Sequence, residues 1–330
     1  MKALVHKYKK GMDGLHYEET KNQELKKEEV RIKLHFAGLN HRDLFTIAQH
    51  DENAEPLIIG SDGVGEISEI LTENKNFKVG DKVIINPGLN WIKVSDAAPE
   101  NLEILGNPVS GTFAEEIILP IENIVMKPEY LSMEEASVLS LSALTAYRAL
   151  FTKGNVTKDD TILIPGIGGG VATYLLQFAK AIGASVYVTS RSKDKLEQAK
   201  KLGANKGIQS EGDWNELLKE EKVDVVIETV GAATFHQSLN QLRKGGTMVL
   251  IGSSTGDKIE FNLREFFYGQ YTLKGTTMGS SEEYQAMLDF IGKHNIRPVV
   301  DKIFKIEDFK KAFDRLEKGK QFGKIGFAIS

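Results

Sequence analysis

The sequence predicts an α/β protein in which a mostly β segment is followed by a doubly wound parallel sheet. Up to about residue 120, apolar residues alternate with polar ones or form short runs bounded by glycine and proline, a pattern typical of strands. After about residue 130, short apolar runs alternate with amphipathic helical segments, which is typical of a parallel sheet. One junction between such a run and a helix is rich in glycine.

The first segment is predicted to be a unit of short strands and turns. Val30, Ile32 and Leu34 alternate with charged residues, as in a strand with one buried face. Further strands are expected over 63–71, 81–87 and 113–120. Residues 88–110 are polar and irregular, and a loop of that length is usually functional or vestigial.

The second segment is predicted to begin with a helix. Ser132 and Glu135 have the spacing of a capping box, and the helical stretch that they open extends to about residue 151. The strands expected after it are 161–165, 185–189, 223–228, 247–251 and 271–276. Beyond residue 280, the pattern predicts two more amphipathic helices and a terminal strand over 323–329.

Composition excludes several kinds of chemistry. The 330 residues suffice for roughly two domains. With no cysteine there is no disulfide, catalytic thiol or iron–sulfur cluster, and the seven histidines show no HxH or HExxH spacing. The net charge of -4 disfavours bulk attraction to nucleic acid or an anionic membrane. No apolar run is long enough for a secretory signal or a membrane span. We therefore expect a cytoplasmic protein that binds neither nucleic acid nor a membrane.

The glycine-rich turn PGIGGGVA (165–172) is the best candidate for a binding site. It follows a buried strand and opens a helix, where glycine lets the backbone approach a pyrophosphate and the helix N-terminus supplies free N–H groups. The residues expected to contact the cofactor are Gly166, Gly168, Gly169, Gly170 and Val171. The alternative is that the corner needs glycine only for its backbone dihedral angles.

The residues at the end of the second predicted strand of the parallel sheet, 185–189, indicate which dinucleotide binds. An NAD site carries a carboxylate there for the ribose hydroxyls, but this chain has Ser190, Arg191 and Lys195. A guanidinium group suits a 2′-phosphate, so we expect NADPH rather than NADH; the alternative is that the two basic residues form a solvated face. Later strand ends add three candidates at the ligand-binding edge, Val230, Gly252 and Ser253.

Short motifs are spread along the chain: AGLNHRDLF (37–45), PLIIGSDGVGEI (56–67), VGDKV (79–83), GTFAEE (111–116), LTAYRAL (144–150), the glycine turn, VVIETVG (225–231), KGGTMVLIG (244–252) and FGKI (322–325). Together, in this order, they resemble those of the medium-chain dehydrogenase/reductase superfamily. The resemblance implies a GroES-like catalytic domain formed by 1–128 and 277–330, around a Rossmann dinucleotide-binding domain at 129–276. It also implies that the nicotinamide lies between the two domains.

The chain departs from the zinc-dependent members of this family at their metal ligands. Those members carry cysteine where this chain has Asn40, a His-Glu pair where it has Ser61 and Asp62, and four cysteines in the loop matching 88–110. We therefore expect neither a catalytic nor a structural zinc. Asn40 and Asp43 match the zinc-free branch, which includes quinone oxidoreductases and enoyl or alkenal reductases.

The resemblance also implies roles for single residues. Asn40 is the first catalytic candidate, with Asp43 orienting it and Ser61 as a weaker hydroxyl donor; alternatively Asn40 caps a helix and Ser61 is a turn residue. The candidates for cofactor contact are His41 at the pyrophosphate, Thr145 at the nicotinamide and Lys324 near a phosphate. A structural histidine and a solvated lysine are the alternatives.

These expectations favour an NADPH-dependent oxidoreductase that transfers hydride to a quinone or an α,β-unsaturated carbonyl as its small-molecule substrate. Without zinc no Lewis acid polarises an alcohol oxygen, whereas a conjugated acceptor takes hydride directly. The alternatives are an alcohol or carbonyl dehydrogenase of the same family and a non-catalytic NADPH-binding sensor. A homodimer is expected, because an edge strand at 271–276 would otherwise expose unpaired backbone.

Overall fold

The computed structural model describes residues 1–21, 23–73, 75–219 and 221–329. They divide into two compact units. Unit 1 is formed by Met1–Ser142 and Gly279–Ser330, and unit 2 by Ala143–Met278. Unit 2 is therefore an insertion in the sequence of unit 1.

The strands and helices that the patterns predict are present, together with further elements that the patterns do not predict. The strands are β1 (Lys2–His6), β2 (Leu15–Glu19), β3 (Glu29–Leu39), β4 (Leu57–Ile58), β5 (Asp62–Leu71), β6 (Lys82–Ile85), β7 (Gly88–Leu89), β8 (Glu103–Ile104), β9 (Glu116–Pro120), β10 (Ile124–Met126), β11 (Thr161–Ile164), β12 (Ser185–Ser190), β13 (Lys206–Gln209), β14 (Val223–Glu228), β15 (Leu242–Leu250), β16 (Thr272–Gly275), β17 (Val300–Lys305) and β18 (Lys324–Ala328). The helices are α1 (His41–Gln49), α2 (Met133–Ser137), α3 (Ser140–Tyr147), α4 (Gly170–Ile182), α5 (Lys193–Lys201), α6 (Trp214–Leu217), α7 (Phe235–Gln241), α8 (Leu263–Gly269), α9 (Ser281–Lys293) and α10 (Phe309–Glu317). Short 3-10 turns lie at Gly11–Gly14, Ile121–Asn123 and Ile306–Asp308, and a π-helical turn at Arg148–Lys153 follows α3.

Unit 1 is built around a mixed sheet in the order β10-β6-β5-β3-β18-β17, with β9 also paired to β3. The alternating residues Val30, Ile32 and Leu34 of β3 are fully buried, because every second side chain of a strand points to the same face. The strand β18 pairs antiparallel with β3 and parallel with β17. This pairing brings the C-terminal end of the chain beside a strand from its first 40 residues.

The segment 88–110 is held in unit 1 by the first turn of α9. The backbone N–H groups of Ser281 and Glu282 donate to the carbonyls of Trp91 and Ile92 at 2.8 and 3.1 Å. The Trp91 side chain is buried, and its indole N–H donates to Ser95 Oγ at 3.0 Å. These bonds, with the short pair β7–β8, order a segment that the sequence shows only as irregular.

Unit 2 is a parallel sheet in the order β13-β12-β11-β14-β15-β16, with helices between successive strands. The predicted fold class, a Rossmann doubly wound sheet beside a GroES-like mostly β domain, is confirmed. Strand β13 is not predicted from the sequence, because Ile208 is its one fully buried residue. The boundary between the units lies inside α3, later than the position at 128 that the resemblance implies.

Candidate functional site

The glycine-rich turn of unit 2 connects β11 to α4 and exposes backbone at the helix start. Gly166 and Gly168 have φ of +74° and +134°, a region that favours glycine. The N–H of Ile167 donates to the Thr189 carbonyl at 2.8 Å, which ties the turn to the end of β12. A Cβ at Gly169 would meet nothing within 4 Å, so the backbone there is open to a ligand. The first-turn N–H groups and positive dipole of the 13-residue helix α4 lie at the turn that is expected to hold a pyrophosphate.

Lys195 lies directly over this turn. A Cβ at Gly168 would be 2.9 Å from Lys195 Nζ, so the ammonium group is beside the backbone that we expect to hold phosphate. Ser190, the last residue of β12, accepts a hydrogen bond from the Ser192 N–H at 3.1 Å, and Arg191 is exposed. The three residues predicted to determine the preference for NADPH over NADH thus lie at one end of unit 2.

Strand order explains why residues far apart in sequence meet at this edge. The chain runs from β11 outward through β12, then returns to β14 on the other side of β11, which creates the crevice where ligands bind in such sheets. Val230, just beyond β14, packs against the turn, since a Cβ at Gly166 would be 2.5 Å from its Cγ2. Gly252 lies against the Thr229 carbonyl, and Ser253 is exposed after β15. Val171, in the first turn of α4, is half-buried.

Sequence reasoning missed Glu228, a fully buried carboxylate at the end of β14. Its Oε1 accepts the N–H groups of Val230 and Gly231 at 2.8 and 3.1 Å and the Thr234 hydroxyl at 2.9 Å. Its Oε2 accepts the Ser238 hydroxyl at 2.6 Å. These bonds determine the shape of the loop that carries Val230. The signal in the sequence is an acid that closes the apolar strand VDVVIE.

A second polar cluster lies in unit 1, around Lys324. The side chain is 3% exposed, and its ammonium group donates to Leu39 O at 3.0 Å, to Asp62 Oδ2 at 3.3 Å, to Ser142 Oγ at 3.3 Å and to Asn40 Oδ1. The expected alternative of a solvated lysine does not describe this side chain. Its predicted contact with a cofactor phosphate remains a prediction.

Asn40 is at the centre of this cluster. Its Nδ2 donates to Asp62 Oδ2 at 3.0 Å and to Gly38 O at 3.4 Å, while its Oδ1 accepts from Lys324 and from the Ser142 hydroxyl at 3.1 Å. The residue is the N-cap of α1 and forms a capping box with Asp43. Its amide also contacts residues of β5, β18 and α3.

Asp43 and Asp62 join the cluster in different ways. Asp62 Oδ1 accepts the Leu141 N–H at 2.7 Å, which fixes the first turn of α3. Asp43 Oδ2 accepts the Asn40 backbone N–H at 2.8 Å, whereas its Oδ1 is buried without a hydrogen-bond partner within the described residues. Burial raises the pKa of Asp43 to about 6, against the Asn40 hydrogen bond and the positive charges of Arg42 and Lys324.

The hydroxyl group of Ser61 faces a different part of unit 1. It donates to Leu105 O at 2.8 Å and accepts from the Arg42 guanidinium at 3.2 Å. Arg42 also donates to the carbonyls of Leu105 and Asn107 at 2.8 and 3.0 Å. Among the remaining candidates, His41 is exposed at the start of α1, and Thr145 is buried in α3 within unit 2.

Sequence reasoning also missed Tyr284 of α9. Its hydroxyl lies 2.7 Å from Ser140 Oγ and donates to Ile85 O at 3.3 Å. Burial raises the pKa of this phenol, and the hydrogen bond with Ser140 opposes that effect. A tyrosine that keeps its proton in this position serves to hold the start of α3.

Two known domain families match successive parts of the chain. The model "Alcohol dehydrogenase GroES-like domain" matches residues 26–129, and "Zinc-binding dehydrogenase" matches 170–293. A zinc-type alcohol dehydrogenase-like protein of Schizosaccharomyces pombe is 33% identical, over 100% of this chain and 99% of its own. An acryloyl-coenzyme A reductase of Sulfurisphaera tokodaii is 29% identical, over 98% of this chain and 99% of its own.

The solved structures give the same fold. A crystal structure of an NAD-dependent alcohol dehydrogenase has a TM-score of 0.90 at 29% identity, with 100% of both chains covered. The quinone oxidoreductase from Coxiella burnetii has a TM-score of 0.83 at 26% identity, covering 100% of this chain and 99% of the other. Within the described residues, no helix is long and apolar enough to cross a membrane.

The zinc ion that one family description implies does not fit the residues present. The side chains at the corresponding positions, Asn40, Ser61 and Asp62, already bind Lys324, Arg42 and backbone groups. In the part of the chain that the structure describes, no group of three or more histidines, cysteines or carboxylates could hold a metal ion. Two positive side chains among these donors would also repel a dication.

Proposed function

The chain belongs to the medium-chain dehydrogenase/reductase superfamily, and from this premise we propose that it is an NADPH-dependent oxidoreductase that transfers hydride to a quinone or an α,β-unsaturated carbonyl without a metal ion. The observation that carries the proposal is the Lys324 ammonium group among the side chains at the metal-ligand positions. The names of two similar proteins, an acryloyl-coenzyme A reductase and a quinone oxidoreductase, describe conjugated acceptors and support the substrate class.

The side chains at these positions indicate which class of molecule accepts the hydride. Oxidation of a simple alcohol needs a Lewis acid or a base to polarise the oxygen, whereas a conjugated acceptor takes hydride without one. The nicotinamide, when bound, supplies the hydride. The protein orients donor and acceptor and places polar groups near the developing negative charge on oxygen.

For the cofactor, we propose that the turn formed by Gly166, Gly168, Gly169 and Gly170 holds the pyrophosphate with Lys195. Ser190 and Arg191 then contact the 2′-phosphate, and this preference for NADPH rests on the exposed guanidinium and on the lack of an acid at the strand end. His41, Thr145, Val171, Val230, Gly252, Ser253 and Lys324 remain proposed cofactor contacts.

For catalysis, we propose that Asn40 contacts the substrate oxygen, with Asp43 supporting its loop and Ser61 supporting the segment at Leu105. Both amide hydrogens are engaged within unit 1, and the bond to Gly38 O at 3.4 Å is the weaker of the two. A substrate oxygen would replace this long bond and leave the one to Asp62 in place. Asp43 acts through the backbone N–H of Asn40, and Ser61 acts through the loop at Leu105.

The proposal is tested by turnover with NADPH and with NADH, using 1,2-naphthoquinone and a medium-chain alkenal as acceptors. We expect NADPH oxidation with at least one acceptor. Arg191→Ala should raise the KM for NADPH about 10-fold and leave that for NADH unchanged, because one charge-assisted hydrogen bond is lost. Lys193→Ala, at an exposed position two residues away, is the matched control. Equal KM values for both cofactors, unchanged by Arg191→Ala, would refute the NADPH assignment.

An alcohol or carbonyl dehydrogenase is the second candidate, favoured by the names of the yeast relative and of the structure with a TM-score of 0.90. It requires a metal ion or another way to polarise the alcohol oxygen. Elemental analysis of the purified protein decides between the two. Stoichiometric zinc whose removal abolishes alcohol oxidation would favour this second candidate over the first.

We also propose that the protein forms a homodimer through the edge of the unit 2 sheet. Strand β16 lies at the end of the sheet order, and its residues are largely exposed. The neighbouring helix α8 presents Leu263, Phe267 and Tyr268, exposed by 71, 58 and 63%. Pairing of β16 with a second copy would satisfy its backbone and cover these apolar side chains.

A further inference from the structure

Lys324 is a buried cation in an environment made of oxygen atoms. Four oxygens accept from its ammonium group: a backbone carbonyl, an amide, a carboxylate and a hydroxyl. An ammonium group has three N–H donors and no lone pair, whereas a neutral amine would turn a lone pair towards an acceptor. The Asp62 carboxylate, fully buried, supplies the compensating negative charge.

The four oxygens come from three separate parts of unit 1. Leu39 ends β3, Asn40 follows it, Asp62 begins β5 and Ser142 lies in the first turn of α3, while Lys324 itself begins β18. The ammonium group therefore joins the ends of three neighbouring strands and one helix. A cation that binds oxygen atoms from several elements has the same structural role as a bound metal ion in a protein.

The orientation of the Asn40 amide depends on this charge. With Oδ1 towards Lys324 and Nδ2 towards Asp62, every group of the amide meets a complementary partner. A flipped amide would place N–H donors against the ammonium group and a carbonyl oxygen against the carboxylate. The pair formed by Lys324 and Asp62 thus allows one orientation and disfavours the other.

We propose that the Lys324 ammonium group is the resident cation of unit 1, held by Asn40 and Asp62 from among the positions expected of metal ligands, and that it is a positioning residue for the Asn40 amide. This inference deepens the proposed function and rests on it for the link to catalysis. The link to folding stands on the contacts in unit 1 alone. It is the charge, and not the length of the side chain, that organises the cluster.

A double-mutant cycle tests whether the charges of Lys324 and Asp62 act as a pair. Lys324→Met leaves a buried carboxylate without its cation and should lower the melting temperature by about 5 °C. Asp62→Asn should lower it as well, and the double variant should recover at least half of the loss of Lys324→Met. Lys33→Met, on an exposed position of β3, is the control and should change the melting temperature little. Strictly additive losses in the double variant would overturn the inference.

The absence of cysteine allows a test of charge at constant side-chain length. Lys324→Cys is alkylated in denaturant with 2-bromoethylamine, which restores an ammonium group, or with 2-bromoethanol, which gives a neutral side chain of similar length. After refolding, the aminoethyl form should regain the wild-type melting temperature and most of kcat. The hydroxyethyl form should keep the lowered melting temperature of Lys324→Cys and show a kcat at least 10-fold lower than the aminoethyl form. Equal behaviour of the two forms would overturn the inference.

The metal alternative is tested on the wild-type protein. We expect that neither a chelator nor zinc chloride changes its melting temperature, because the cation position is already filled. A rise with zinc and a fall with chelator would assign the position to a metal ion instead. If the wild type turns over neither acceptor, the proposed function fails, whereas the melting experiments still decide the role of Lys324.

Discussion

The buried carboxyl group of Asp43 makes the stability of the protein depend on pH in a direction that is unusual for a carboxyl group. Its side chain is fully buried, and one oxygen has no hydrogen-bond partner within the described residues. Burial raises its pKa from 3.8 to about 6. Between these values the folded protein holds a proton that the unfolded chain has lost. The contribution of Asp43 to the free energy of unfolding therefore falls as pH rises from about 4 to about 6, and is constant above that range.

The magnitude follows from the size of the shift. About 2 pKa units at 1.36 kcal/mol each correspond to about 3 kcal/mol of stability that is present at pH 4 and absent at pH 7. Asp43→Asn removes the titration and keeps an oxygen that accepts the Asn40 N–H. The free energy of unfolding of this variant minus that of the wild type should therefore rise by about 3 kcal/mol between pH 4 and pH 7.

The assay is thermal unfolding at half-unit steps of pH, for wild type, Asp43→Asn and the control Asp13→Asn. Asp13 is exposed, so the same substitution there should give a difference that is flat with pH. For 330 residues at roughly 2.1 cal/mol/K of unfolding entropy per residue, 3 kcal/mol corresponds to about 4 °C in melting temperature. Infrared difference spectra should show a protonated carboxyl in the wild type at pH 5 that is missing in Asp43→Asn. A difference between Asp43→Asn and wild type that does not change with pH would refute the reasoning.

Three further outcomes are expected. Glu228→Ala should destabilise the protein by about 3 kcal/mol in chemical denaturation, because four buried donors lose their acceptor, whereas Glu221→Ala at the surface should cost far less. Gly168→Ala should weaken NADPH binding at least 10-fold in a fluorescence titration, because φ at this residue is +134° and the added Cβ would lie 2.8 Å from Lys195 Cδ. The control is Gly292→Ala, where the added Cβ would have nothing within 4 Å. Equal NADPH affinities of the two variants would contradict the assignment of the turn. Leu263→Asp should convert the proposed dimer to a monomer in sedimentation velocity, and a wild-type monomer at micromolar concentration would contradict the dimer.

The glycine-rich turn was accessible to sequence reasoning because its signal is local. A buried strand, a cluster of glycines and an amphipathic helix lie within about twenty residues, and the positive φ values of Gly166 and Gly168 agree with the need for glycine there. Glu228 carried a local signal too, as an acid closing an apolar strand. By contrast, β13 has a single fully buried residue and gives almost no periodic pattern.

The residue types around Asn40 predicted a catalytic site there. The residues that contact them could not be predicted from a local pattern, because they are distant in the sequence. Lys324 reaches Asn40 across 284 residues of chain because β18 pairs with β3, and Asp62 arrives because β5 pairs with β3 on its other side. Strand periodicity reports which side chains point inward, but not which strand becomes a neighbour. The order of elements, the glycine-rich turn and the lack of thiol chemistry thus follow from residue types in sequence. The burial of Lys324, the orientation of the Asn40 amide and the raised pKa of Asp43 arise from contacts that exist once distant strands have paired.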